Sequence, residues 1–104
     1  MSWLAQLLAN KALASDSTGV KATYTAPTSI RAAVRDHSCT RITGGTVDAE
    51  YIQGANTFVV RTFTAAYNEQ RYIVLLPGEL FRVNVTTAGA AGSVFDFIAG
   101  GEEG

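Results

Sequence analysis

The sequence has little of what small proteins use for cross-links, metal sites or membrane spans. Its 104 residues include one cysteine and one histidine, so an intramolecular disulfide is impossible and a zinc site, which usually takes three or four such ligands, is not expected. No apolar run approaches the roughly 20 residues that a membrane-spanning helix needs. We therefore expect a fold that depends on its hydrophobic core, with no metal, no cofactor and no membrane partner.

Charge is also scarce. Charged residues make up 16% of the chain and the formal net charge is −1. The eight Lys and Arg are scattered singly, whereas proteins that bind duplex nucleic acid usually carry a basic patch. We expect no nucleic-acid partner. The first residues lack a basic n-region and Lys11 interrupts their apolar stretch, so we do not expect a signal peptide.

The first segment, residues 2–14, has the composition of a helix. Ala, Leu, Gln and Lys dominate it, and all four favour helix. An apolar stripe recurs at helical spacing, formed by Trp3, Leu4, Leu7 and Leu8. The predicted amphipathic helix is too short to be stable alone in water, so it must dock on its own domain or on a neighbouring chain. These four residues are our candidates for a protein interface.

After residue 19 the composition changes to Thr, Val, Tyr, Phe and Ile in short runs separated by turn residues. The pattern predicts about seven strands in an antiparallel, jelly-roll-like β-sandwich that follows the helix. "ITGGTV" (42–47) predicts a hairpin and "LPGE" (76–79) a type II turn. "YIVLL" (72–76) is apolar at both strand parities, which predicts a central strand covered on both faces.

These elements divide the chain into three parts. Residues 1–19 are the predicted helix and its linker, residues 20–100 form the predicted sandwich, and residues 101–104 are a polar tail. The "GGEEG" ending should be mobile by itself, because it has no apolar residue to hold it on a core.

The stretch "RDHSCTR" (35–41) contains the only histidine and the only cysteine, His37 and Cys39. In a strand they lie on one face with Cβ atoms roughly 6.5–7 Å apart. A thiol–imidazole dyad needs contact near ~3 Å and a third group that orients the base. We predict that Cys39 is a small buried hydrophobe and that His37 lies at the surface or an interface.

Asp48 and Glu50 also share a strand face. Such a pair can serve a retaining glycosidase or contribute to a calcium site, but charged residues are common on solvated strand faces, which is our prediction here. We therefore predict no catalytic residue and no enzyme. An enzyme remains an alternative that requires a pocket joining at least two of His37, Cys39, Asp48 and Glu50. A carbohydrate-binding module is a further alternative, and it requires an exposed aromatic pair beside polar residues.

Two segments resemble a known class of proteins. "ATYTAPTSIRAAVRD" (22–36) and "VLLPGELFRVNVTTAGAAGSVFDFIAG" (74–100) resemble the short β-sandwich proteins of tailed bacteriophage particles, including capsid decoration (cement) proteins and small tail or fibre-attachment proteins. The resemblance covers residues 20–100. The usual pattern has no leading helix. The resemblance implies an assembly role, commonly as a trimer, with no catalytic residues.

The resulting prediction is a structural virion protein assembled in the host cytoplasm. The first choice within this class is a capsid decoration protein that bridges capsid subunits. Its expected partners are copies of itself, in a homotrimer, and the major capsid protein. The alternative within the same class is a small tail or fibre-adaptor protein that binds a tail protein.

Overall fold

The computed structural model describes residues 2–104, with side chains from residue 7 onward. The regular elements in this range are nine β-strands, two more than the sequence predicted; the additional ones are the first strand and a three-residue strand near the middle. They are β1 (Ser2–Ala14), β2 (Gly19–Thr25), β3 (Ala32–Ile42), β4 (Thr46–Gln53), β5 (Asn56–Phe63), β6 (Tyr67–Glu69), β7 (Ile73–Leu75), β8 (Leu80–Thr87) and β9 (Val94–Glu103).

The strands form two antiparallel sheets. Sheet A has the order β1-β9-β3-β6, and β7 also pairs with β3; sheet B has the order β2-β8-β4-β5. The pairs β1–β9, β2–β8, β3–β6 and β4–β5 are nested along the chain, as if one long hairpin had been rolled up. The all-β, antiparallel sandwich predicted from the sequence is thereby confirmed.

The core lies between the two sheets and follows the alternation of each strand. In β8 every second residue is buried, and β9 repeats this pattern through Phe95, Phe97 and Ala99. Alternation with period two buries one face of each strand and leaves the other to solvent. The phenylalanines at 63, 81, 95 and 97 are the largest fully buried side chains from residue 7 onward, and they lie in the core between the sheets.

The predicted N-terminal helix is wrong: residues 2–14 are strand β1, paired with β9 along its length. Helix propensity is a weak preference that tertiary pairing often overrides, and here it is opposed by an open edge of β9 that needs a partner. Two register shifts, between Leu4 and Leu8 and between Asn10 and Leu13, let a sequence without strict alternation follow a strand.

The prediction of a hairpin at "ITGGTV" is also wrong, because the flanking strands β3 and β4 belong to different sheets. Gly44 and Gly45 instead connect the sheets at one end of the sandwich. The Pro77–Gly78 turn is confirmed: Gly78 has φ of 85°, and the Glu79 N–H donates to the Leu76 carbonyl at 3.0 Å, as a type II turn requires.

Three connections, β1–β2, β3–β4 and β8–β9, come into contact at one end of the sandwich. We call this contact the turn junction and define it by Ser15, Gly44, Gly45, Gly89 and Ser93. The Ser15 hydroxyl donates to the Gly44 carbonyl at 2.7 Å, and the Gly89 N–H donates to the Ser15 carbonyl at 2.8 Å. A Cβ at Gly89 would lie 2.6 Å from backbone atoms of Gly44 and Gly45. Only glycine permits this approach.

The C-terminal tail is not a free segment. Glu102 and Glu103 belong to β9, and the Gly104 N–H donates to the Arg31 carbonyl at 3.0 Å. The Tyr24 hydroxyl donates to the Glu103 carboxylate, which ties the end of sheet A to sheet B and raises the pKa of Tyr24 above its usual value through burial and this bond. Main-chain pairing therefore places the ending in sheet A, and its mobility stays a prediction.

Candidate interaction surface

His37 lies in the core, so the prediction that it lies at the surface or at an interface is wrong. Its side chain is 1% exposed and is surrounded by the rings of Phe63, Phe81 and Phe97 at centroid distances of 5.2–5.9 Å. Neither ring nitrogen has a hydrogen-bond partner among the described residues. Burial lowers the pKa of His37 to about 4, so at neutral pH the ring is uncharged.

The other three residues considered for chemistry occupy separate structural positions. Cys39 is a buried core residue, as predicted, and burial raises the pKa of its thiol. Glu50 is 4% exposed, so it is not on a solvated face; it accepts hydrogen bonds from Arg82 at 2.8 Å and Asn84 at 3.2 Å. Asp48 accepts a hydrogen bond from the Thr62 hydroxyl at 2.7 Å. Each makes contacts that stabilise the sandwich.

The structure contains a pocket that does not include these four residues. A pocket of about 420 Å³ on the outer face of sheet A is lined by none of the four. Within residues 2–104, no group of three or more His, Cys, Asp or Glu side chains is placed to hold a metal ion. The same range contains no helix long and apolar enough to cross a membrane.

The exposed apolar residues are concentrated on one side of the sandwich. Among the side chains described from residue 7 onward, seven large hydrophobic residues are exposed, and only Val20 of these lies outside the range 58–76. The other six are 40–55% exposed and form what we call the side surface: Phe58, Val59, Tyr67, Tyr72, Val74 and Leu76. Several exposed apolar residues on one side indicate an interaction site more strongly than single ones do, because single exposed apolar residues are common on protein surfaces.

The side surface belongs to strands at the edges of both sheets. β5 is the outer strand of sheet B, while β6 and β7 lie at the outer edge of sheet A, each paired only with β3. Edge strands present unpaired backbone N–H and C=O groups to solvent. The side surface therefore combines exposed apolar side chains with backbone groups that a further strand could pair with.

Arginine contacts join the two sheets across this side. Arg61 of β5 pairs with Glu69 of β6 at 3.2 Å, and its guanidinium lies 4.1 Å from the centre of the Tyr67 ring. The Arg71 guanidinium donates to the Val60 carbonyl at 3.4 Å. These contacts hold β6 and the following loop against β5, so the exposed rings are presented on a supported surface.

Two further contacts position the ends of the side surface. The Arg35 guanidinium lies 5.5 Å from the centre of the Tyr72 ring and pairs with Glu102 at 2.9 Å. Phe58 stacks on Tyr51 at 5.9 Å, and the Tyr51 hydroxyl donates to Glu79 at 2.7 Å. That bond raises the pKa of Tyr51 to about 12.

Sequence reasoning missed this surface because it misread "YIVLL". Residues that are apolar at both parities indicate a covered strand, but β7 is a three-residue strand at the edge of sheet A, with Val74 exposed and Leu76 exposed just beyond it. The available signal was the position of Tyr72, Val74 and Leu76 between a polar segment, "YNEQR" (67–71), and a Pro-Gly turn. A segment confined in this way leaves room only for a short strand.

The interface residues predicted from the sequence lie at the opposite edge of sheet A, in β1. Leu8 is part of the core and Leu7 packs against it. The side chains of Trp3 and Leu4 are outside the described residues. That these four residues form an interface remains a prediction.

Comparison with known proteins adds no assignment. No family model matches the chain, and no curated protein is significantly similar to it.

Proposed function

We propose that this protein is a structural virion protein of a tailed phage that assembles through the side surface, most simply as a capsid decoration protein. The observation that carries the proposal is the concentration of six exposed apolar residues in or next to the edge strands β5, β6 and β7, each of which is paired on one side only. Exposed apolar patches mark interaction sites, and the edges of a sandwich are where further pairing can occur. Copies of the chain, as a homotrimer, and the major capsid protein are the proposed partners.

The strand order supports the same proposal. We infer that the sandwich is a jelly roll, since β1-β9-β3-β6 faces β2-β8-β4-β5 and the strand pairs are nested. Jelly rolls occur in viral capsid and lectin domains, so the architecture is compatible with a virion role without requiring it. The resemblance of residues 20–100 to decoration and tail proteins points in the same direction.

The proposed mechanism is adhesive. Each subunit would bury its side surface against neighbouring chains, and the added contact area would hold capsid subunits together against internal pressure. Stable obligate interfaces bury ~2,000 Å² or more and are rich in apolar side chains. The Arg61–Glu69 and Arg35–Glu102 pairs at the margin would supply polar contacts around an apolar centre.

The test compares Val59→Arg with Val20→Arg by light scattering. Both valines are exposed, but only Val59 belongs to the side surface. We expect the unchanged chain and V20R to form a stable trimer of the 11.0 kDa subunit and V59R to be monomeric, because a buried unpaired charge opposes association. A monomer at every concentration, with no binding to capsids, would refute the proposal. Copy number distinguishes the two locations: hundreds per particle for a decoration protein and a few for a tail adaptor.

A carbohydrate-binding module is the second candidate. Tyr67 and Tyr72 are both exposed, and each lies beside an arginine, which meets part of the requirement for an aromatic pair next to polar groups. Exposed rings can stack on apolar faces of ligands. This candidate predicts binding on a glycan array that Tyr67→Ala and Tyr72→Ala abolish. Absence of binding by the unchanged chain would remove it.

A further inference from the structure

The pocket on the outer face of sheet A is a separate feature from the side surface, because no residue of that surface lines it. It is formed where β9 runs between β1 and β3, by residues 9–11, Thr40 and residues 96–98. Its volume of about 420 Å³ falls within the range of ~300–1,000 Å³ that is usual for small-ligand sites.

Irregular pairing on both sides of β9 accompanies this pocket. β1 shifts register between Asn10 and Leu13, and β3 shifts between Cys39 and Arg41. Phe97 is the partner of both Asn10 and Cys39, so the two irregularities lie at the same level of the sheet. Bulges redirect side chains locally and are over-represented beside functional sites.

The β1 irregularity contains the only non-glycine residue with positive φ among the described residues, Ala12 at 54°. Left-handed backbone costs free energy for any residue with a Cβ, and such strain is concentrated at functional sites. The Asp96 carboxylate holds this conformation, since its Oδ1 accepts the Ala12 N–H at 2.6 Å. The bend that results places Lys11 at the margin of the pocket.

The charges around the pocket do not cancel. Asp96 accepts two hydrogen bonds from the Arg41 guanidinium, at 3.0 and 3.1 Å, and Arg41 holds the pKa of that carboxyl below its usual value. Lys11 is exposed and has no direct ion pair with the side chains that the structure describes, although its charge contributes to the lowered pKa of Asp96. Arg41, Asp96 and Lys11 together leave one positive charge, beside apolar surface from Ala9 and Ile98.

We propose that this pocket binds a carboxylate on a short apolar stem, with the carboxylate at the Lys11 ammonium and the stem against Ile98. The ammonium would pair with the anion, and the aliphatic surface would be covered by the stem. Arg41 is already engaged by Asp96, so Lys11 is the group left to recognise the ligand. The ligand is either a free small carboxylate or an acidic side chain presented by a partner protein.

The test is an NMR titration of the ¹⁵N-labelled chain with sodium butyrate, with butyramide as the uncharged analogue. We expect shifts confined to residues 9–12, 40–41 and 96–98 with butyrate and none with butyramide. Lys11→Gln should weaken binding about fivefold, the size expected for one partly exposed ion pair. Lys21→Gln removes the same charge from β2, and we expect it to leave binding unchanged.

A capped Ala-Glu-Ala peptide distinguishes the two sources of the carboxylate. Binding tighter than butyrate, and still dependent on Lys11, assigns the site to an acidic side chain of a partner. Binding weaker than butyrate assigns it to a free small carboxylate. Shifts that are spread over the surface, or a K11Q variant that binds butyrate as well as the unchanged chain, would overturn the proposal.

Discussion

The turn junction and the side surface are constructed in opposite ways. At the junction, backbone atoms of three connections come so close that glycine is required at two of them, and the serine side chains are buried. On the side surface, large side chains are exposed to solvent in or next to edge strands that are paired on one side only. The first arrangement has no space for a Cβ at Gly45 or Gly89, whereas the second leaves large apolar side chains about half exposed to solvent.

This difference separates residues that determine the fold from residues that are available for binding. In this fold β1 pairs with β9 and β2 pairs with β8, so its contacts join residues that are far apart in sequence. Such contacts carry a high loop-closure cost, so the junction that brings the connections together contributes to specifying the fold. The side surface carries no comparable constraint, and its apolar character is therefore a stronger indication of function.

The largest effect is expected from Gly89→Ala at the turn junction. The new Cβ would lie 2.6 Å from backbone atoms of Gly44 and Gly45, which cannot move aside as a flexible side chain can. We expect a loss of about 3 kcal/mol in the free energy of unfolding, measured by urea denaturation.

Gly92→Ala in the same connection is the matched control. Gly92 has φ of 85° and open space around its Cβ position, so the expected loss of about 1 kcal/mol comes from backbone strain alone. Equal losses at the two positions would show that close approach does not constrain the junction.

The next effect concerns His37, which is buried in the core and lies in β3, directly opposite Glu69 of the neighbouring strand β6. Its folded pKa of about 4 is below the unfolded value of 6.5, so between these values the unfolded chain binds the extra proton. Stability should then fall as pH decreases from 6.5 toward 4, by a total on the order of 3 kcal/mol. The nearby charges of Glu69 and Asp36 oppose this shift, and those of Arg71 and Arg61 reinforce it.

His37→Leu tests this account. Leucine has a similar volume, no ionisable group and no unpaired nitrogen, so we expect the variant to be more stable than the unchanged chain at pH 7 by about 1 kcal/mol. The gap should widen as the pH is lowered to 4. Parallel pH profiles from urea denaturation of the two proteins would contradict the assignment of the acid sensitivity to His37.

Strands inside the sheets, such as β8, could be predicted from the sequence, whereas the edge strand β1 could not. Alternation in segments such as "LFRVNVTT" identified β8, because that strand is paired on both sides and buried on one face. β1 was missed because its alternation is broken by two register shifts, and its composition favours helix in the absence of a partner. Pairing with β9 is a long-range property that no local pattern in residues 2–14 reveals.

The candidate surface could not be predicted for a related reason. Whether "YIVLL" is covered depends on where β7 lies in the sheet. β3 pairs with β9 on one side and with β7 on the other, so β7 lies at the edge of sheet A. His37 shows the same limit: a polar residue in an alternating strand is usually exposed, yet the parity that buries Cys39 also buries His37. A register shift between Val34 and Asp36 sets this parity, because even-numbered Val34 is buried before the shift and odd-numbered His37 and Cys39 are buried after it. Composition alone could not indicate which face of β3 is turned inward.

The smallest effect is expected on the side surface itself. Val59→Ser and Val74→Ser should change the free energy of unfolding by less than about 0.5 kcal/mol in dilute solution, since both side chains already contact water. Val85→Ser, at a buried position of β8, is the control and should cost about 3 kcal/mol, because it leaves a cavity and an unpaired hydroxyl. A loss above about 1 kcal/mol at Val59 or Val74 would mean that these residues stabilise the monomer, and the distinction between the two regions would fail. A small loss accompanied by reduced association would show that the side surface acts between chains and not within one.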